Sequence, residues 1–169
     1  KGIKILMKAA NANKAMVAIK KGKPHLHEAL VAAFENEENI DVVEVADVYP
    51  VGWERVLIRK VLRKEYDRLP NEVGVTVNNI QTAIAAADAL LNGNAVTRKT
   101  ITVSGNAVAR VGNFEVPVGT VAGSLIEYLG GYTEENVILL AGGPMTSKGQ
   151  MNDKFIIERQ TGGLTVLKH

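Results

Sequence analysis

Apolar and polar positions come in blocks whose period changes along the chain. Residues 2–10 (GIKILMKAA) place Ile3, Leu6 and Met7 on one helical face. Residues 15–19 (AMVAI) carry no polar position, the pattern of a buried strand. Residues 20–23 form a basic turn, and Pro24 stands where a helix can begin. From His25 to Glu35, Leu26, Ala29, Leu30, Ala33 and Phe34 recur at helical spacing. After the polar loop 36–39, residues 40–45 (IDVVEV) read as a strand. Helix, strand, helix, strand is the order of a parallel α/β layer with right-handed crossovers.

A turn follows at residues 49–54 (YPVGWE), with Pro50 fixing one dihedral and Gly52 permitting a left-handed one. The helix expected over residues 53–64 has Trp53, Val56, Leu57, Val61 and Leu62 on its apolar face. Arg55, Arg59, Lys60, Arg63 and Lys64 occupy the other face, where late-helix cations complement the macrodipole. The stretch 73–93 organises this half: a short buried strand at 73–77, a polar turn at Asn78–Asn79, and an alanine-rich helix from Ile80 to about Leu91. Asn78 or Asn79 can cap that helix, and Gly93 can end it.

Beyond Gly93 the texture changes, and 94–98 reads as a connector. Residues 100–104 alternate, with Ile101 and Val103 on one face. Residues 108–111 and 114–118 flank Gly112–Asn113, a hairpin signal, and Pro117 implies a sheet edge or a strand end. Thr120 is placed to cap a helix over 121–129 that Gly130–Gly131 stop. Residues 137–141 (VILLA) form a buried strand, so hairpin, helix and strand follow in the order of a β-grasp fold. Two strand-like runs remain, 155–158 and 164–167, with no sheet assigned to them.

Composition narrows the chemistry. In 169 residues there is no cysteine, which excludes a disulfide, a thiolate nucleophile and a cysteine-ligated cluster within this chain. The net charge of +2 gives no bulk electrostatic case for nucleic acid. No apolar run approaches the ~20 residues that span a bilayer. His25 and His27 point roughly 200° apart on a helix and do not converge on a metal. No P-loop, G-x-G-x-x-G or G-x-S-x-G occurs. Gly142–Gly143–Pro144–Met145 is a structural turn in the plain reading, and a close-approach loop in the functional one. Since Lys1 opens in mid-helix pattern without an initiating Met, the chain reads as a piece of a longer protein.

What remains is a set of residues at strand ends: Tyr49, Gly52 and Glu54, then Asn78 and Asn79. In a parallel sheet both turns fall at carboxyl ends, where open α/β sheets bind ligands. Tyr and Glu offer stacking and acceptance to a ring or ribose, and the Asn pair with a helix N-terminus offers donors. For the 73–93 stretch the plain alternative is a capped α/β unit that binds nothing.

Three runs in order carry a resemblance: Tyr49-Pro50-x-Gly52-x-Glu54-x-x-Leu57-Ile58, Val75-x-Val77-Asn78-Asn79-x-x-Thr82-Ala83, and Gly142-Gly143-Pro144-Met145. The chain resembles RnfC, the peripheral subunit of the Rnf electron-transport complex. More loosely it is similar to the flavin-bearing NADH-binding subunit of respiratory complex I. Residues from Thr100 to about Ser147 are similar to the SLBB β-grasp domain. The resemblance implies a truncated Rossmann-like parallel α/β layer at 1–95, an SLBB domain at 98–150, and a strand-forming tail at 151–169. It places Tyr49, Gly52 and Glu54 in a nucleotide-site segment, and Asn78 and Asn79 in a flavin-contacting pair. Trp53 stands where the family often has a small residue. The family's flavin glycine loop G-R-G-G-A-G-F, its N-x-A-E-x-E-P segment and its cysteine clusters are not in these 169 residues.

The implied parent protein moves electrons between NAD(H), FMN and 4Fe-4S clusters as an NADH-linked oxidoreductase subunit. Its expected partners are redox proteins or other Rnf-type subunits, with no nucleic acid and membrane contact only through partners. The implied location is cytoplasmic or peripheral at the inner face of the cell membrane. The piece itself is expected to be inert and to bind no cofactor alone, with no catalytic or metal-ligating residue. The competing expectation is an SLBB ligand- or partner-binding module without redox activity.

Overall fold

The computed structural model describes residues Lys1–His169, which divide into two units, Lys1–Asn94 and Ala95–His169. In the first, helix α1 (Gly2–Ala9) precedes strand β1 (Ala15–Lys20), helix α2 (Pro24–Phe34) and strand β2 (Ile40–Val45). Helix α3 (Glu54–Leu62), a 3-10 turn (Pro70–Val73) and helix α4 (Ile80–Asn92) complete it. β1 and β2 pair in parallel, from Ala15 opposite Ile40 to Lys20 opposite Val45. The α/β class expected from the pattern is what folds.

Two expectations for this unit change. β1 is covered on one face only: Ala15, Val17 and Ile19 are half-buried, whereas Met16 is 40% exposed. Residues 73–77 form no strand. Val73 belongs to the 3-10 turn, and Val75 and Val77 are half-buried in alternation with no ladder partner beside them. Both ends of the stretch are committed elsewhere: the 3-10 turn closes through Gly74 at φ 71°, and Asn79 begins the cap of α4.

α4 forms as the pattern predicts. The Asn79 side chain accepts from the Gln81 N–H at 2.9 Å, and Gly93 closes the helix at φ 72°. α4 packs on α1 with backbone-close contact. A Cβ added at Gly2 would lie 1.8 Å from the Ala83 carbonyl oxygen.

The second unit contains strands β3 (Arg98–Gly105) and β4 (Gly112–Pro117), helix α5 (Ala122–Tyr128), and strands β5 (Val137–Leu140), β6 (Gly149–Gln150) and β7 (Gly163–Lys168). The sheet order is β4-β3-β7-β5-β6, with β3 and β7 parallel and the other neighbours antiparallel. The last strand is therefore central and not a tail. Leu164 and Val166 on β7 are fully buried beside Ile101 and Val103 of β3 and Ile126 of α5. Four successive residues of β7, Gly163 to Val166, are buried, so both faces of this strand are covered there and the run reads as apolar.

Other local expectations move. β4 pairs with β3, so the hairpin turn is 106–111 and Gly112–Asn113 belongs to the strand. Val108 makes only an isolated bridge to Tyr132. Pro117 does end an edge strand. The Thr120 hydroxyl donates to the Pro117 carbonyl at 2.8 Å and does not cap α5. Residues 155–158 contribute the buried Ile157 and one bridge, Ile156 to Val121, rather than a strand.

Candidate functional site

Parallel pairing of β1 and β2 places the turns that follow them at one edge. Lys20 Nζ lies 2.7 Å from Asp47 Oδ1 and ties the two strand exits together. Hydrogen bonding and charge from Lys20, with the charge of Lys23, hold the Asp47 carboxyl below the usual carboxylate range. Between them run Lys21 and Gly22, the latter at φ 80°, and then α2 starts with Pro24 and no side-chain cap. This exit is cationic and exposed.

The second turn is built on a buried peg. Val51, 3% exposed, anchors it, while the Val51 N–H donates to Val48 O at 2.9 Å and the Trp53 N–H to Pro50 O at 2.8 Å. The Tyr49–Pro50 peptide is cis. Gly52 stays out of the left-handed region, with open space where a Cβ would be. The left-handed conformation that Gly52 permits is not used, and the turn closes through Pro50 O. Tyr49 and Trp53 meet edge to face, ring centroids 5.9 Å apart at 74°, and are 60% and 53% exposed. Trp53 precedes α3 and does not join its apolar face.

Glu54 is the first residue of α3, where a carboxylate complements the helix dipole. The Tyr66 hydroxyl donates to Glu54 Oε1 at 3.1 Å. Burial first, then the hydrogen bond to the Glu54 carboxylate, raises the Tyr66 phenol above its ordinary range. Arg55 sits 4.3 Å over the Tyr66 ring and donates to the carbonyls of Tyr66 and of Asp67, the latter at 3.0 Å. Glu72 secures the same loop, accepting from the N–H groups of Asp67, Arg68 and Leu69 at 2.9–3.0 Å. Those bonds, led by Leu69 and Asp67, lower its pKa. Tyr66 and Glu72 escaped the sequence reading. The readable signal was Glu72 three residues after Leu69, the spacing at which a carboxylate folds back on a helix start.

At the α4 start the two asparagines differ. Asn79 is used as the cap, whereas Asn78 is exposed and its side chain makes no hydrogen bond. No hydrogen bond, ion pair or ring contact joins Asn78–Asn79 to the 49–54 turn. Tyr49, Gly52 and Glu54 thus share one turn, and the Asn pair stands at the α4 start without a direct bond to it. The parallel edge adds Lys21 and Lys23 to the first group. Exposed rings, an acceptor and cations can take up a flat heterocycle bearing hydroxyls and a phosphate.

In the second unit, Gly142 at φ 126° offers its carbonyl to the buried Thr165 hydroxyl at 2.8 Å, and the Ser147 hydroxyl donates to Gly143 O. These bonds give the GGPM loop a structural role. No helix of either unit is long and apolar enough to cross a membrane.

Residues 1–88 match the Nuo51 FMN-binding domain family, and residues 100–149 match the SLBB domain. Over 165 residues, 96% of the chain, it is 36% identical to the RnfC-type subunit of the proton-translocating ferredoxin:NAD(+) oxidoreductase complex of Clostridium ljungdahlii, covering 36% of that protein. It is 34% identical to the RnfC-type subunit of the ion-translocating oxidoreductase complex of Rhodobacter capsulatus, over 98% of the chain and 33% of the relative. Similarity to the cobalamin reductase PduS of Salmonella typhimurium is 32% over 99% of the chain and 37% of the relative. The chain spans about a third of the length of these curated relatives. It belongs to the Nuo51 FMN-binding domain family, is RnfC-like, and carries an SLBB domain after its flavin-type unit.

Proposed function

We propose that this chain contributes one wall of an FMN and nicotinamide-nucleotide site in an electron-transfer subunit of the RnfC type. The observation that carries the reading is the shared carboxyl edge of β1 and β2, where a cationic turn and an aromatic turn are tied by the Lys20–Asp47 pair. The residues fit a flavin in kind. Tyr49 and Trp53 present open ring surface, and Asn78 has an uncommitted amide. Lys21 and Lys23 supply charge suited to a phosphate, while Gly52 leaves space for close approach. Glu54, steadied by Tyr66, is an acceptor suited to ribose or ribityl hydroxyls and repels a phosphate, so the two ends of a nucleotide are sorted by charge. Asn79 shapes the α4 N-terminus rather than reaching for a ligand.

Bound FMN supplies the chemistry that links a two-electron hydride donor to one-electron iron–sulfur centres. The chain's own part is to bind, orient and shield. With no cysteine it holds no cluster, and by itself it is inert and retains no flavin. Its partners in this reading are NAD(H), redox proteins and other subunits of an Rnf-type complex, with peripheral attachment to the inner face of a membrane.

The test is flavin affinity of the whole protein bearing this sequence. Asn78→Ala and Tyr49→Ala should each weaken FMN or NADH binding by roughly fivefold to tenfold, the loss of about 1 kcal/mol for one hydrogen bond or stack. Unchanged affinity in both would overturn the assignment. A second reading has one observation behind it: the contiguous core lies wholly in Ala95–His169, as in a self-contained binding module. A protein that stays colourless with added FMN, yet whose second unit holds a small ligand or partner, would favour that reading.

A further inference from the structure

Asn92–Gly93 is the chain's single Asn-Gly pair, and it lies at the end of α4, exposed, close to the last residue of the first unit. Such a pair can modify itself. The deprotonated glycine nitrogen attacks the asparagine side-chain carbonyl carbon, forming a C–N bond. The amide C–N bond breaks and ammonia leaves with the proton. Water then opens the cyclic imide to aspartate or isoaspartate. Glycine favours the reaction because no side chain obstructs the closing ring, and asparagine is among the thermolabile residues for this reason.

Both reacting groups are occupied here. The Gly93 N–H donates to Ala89 O at 3.1 Å, closing the helix. The Asn92 amide donates to Asp88 Oδ1 at 2.7 Å, and Asn94 donates to the same oxygen at 3.0 Å. The attacking nitrogen thus keeps its proton in a capping bond, while its target is tethered one turn back. We propose that Asn92 is a deamidation site that the C-terminal cap of α4 keeps silent, and that it converts only when this helix end opens. Conversion is self-locking: isoaspartate lengthens the backbone inside the cap, and either product sets a new carboxylate beside Asp88.

The experiment incubates the intact chain at warm, mildly alkaline conditions, folded and in urea. Peptide-resolved mass spectrometry with isoaspartate scoring reads each asparagine. In urea, Asn92 should convert faster than every other asparagine. In the folded chain its rate should fall by about tenfold or more, the scale set by local opening. Asp88→Ala should raise the folded rate several-fold and leave the urea rate unchanged. If that variant loses its far-UV circular dichroism, Asp88→Asn, which keeps an acceptor oxygen, should give a smaller rise. Equal rates folded and unfolded, a slower Asn92 than other asparagines in urea, or a folded variant with the wild-type rate would each overturn the proposal.

Discussion

Glu72 accepts three successive backbone N–H groups, so its charge is held in place by the turn it closes. Its folded pKa is depressed, so the stability it contributes is present above the unfolded value and is lost as pH falls through the folded one. Acid should therefore release the loop that carries Tyr66 before the second unit responds. Amide exchange at Asp67–Leu69 followed by NMR down through the carboxylate range checks this, and Glu72→Gln should flatten the dependence. Tyr132 runs in the opposite direction. Burial and its 3.0 Å bond to Asp153 push the phenol up to about 12. Its contribution is complete below the ordinary tyrosine value near 10 and is lost as pH rises toward 12. Tyr132→Phe should remove that alkaline step in a denaturation series, and an unchanged step would assign it to another group. Asn79→Ala should cost about 1 kcal/mol by stripping the cap of α4, read from denaturant midpoints.

At the scale of elements, close backbone approach decides what substitution can do. Gly105 ends β3 at φ 119°, and a Cβ there would sit 1.8 Å from the Val166 carbonyl oxygen. Gly105→Ala should separate β3 from β7 and cost upward of about 2 kcal/mol, measured by urea unfolding. A variant as stable as wild type would mean that the β3–β7 ladder ends earlier than described. The elements that the sequence made legible are those with strong local signals. α4 has a capping Asn and a closing Gly, and α2 has Pro24 at its first position. The strand expected at 73–77 fails because alternation reports an extended, half-covered chain but cannot report whether a ladder partner exists. β7 was readable as a strand, but its place between β3 and β5 depends on pairing with residues far along the chain. For the same reason Gly112–Asn113 misled, because the register to β3 overrides a local turn signal.

On the scale of the molecule, buried side chains are unevenly shared. The connected core lies in the second unit, from Ile101 to Val166, whereas α1 and α2 have no buried residue. Hydrogen exchange should accordingly be slow in β3 and β7 and fast in α1 and α2. Leu164→Ala should cost about 2–5 kcal/mol and raise exchange within Ala95–His169. Half of the candidate site was legible: Tyr49, Gly52 and Glu54 stand out as punctuation at a strand end. Lys21 and Lys23 join them only because β1 and β2 run parallel, and Tyr66 reaches Glu54 only through a loop fastened by Glu72.

In the function proposed above, this chain is part of a flavin site and not a site by itself. Visible absorbance of two preparations, this chain and the whole protein that contains it, each purified anaerobically with added FMN, tests it most directly. A flavin band with iron–sulfur absorption is expected in the whole protein and none in the chain alone. A colourless whole protein, or a chain that holds flavin unaided, would contradict it.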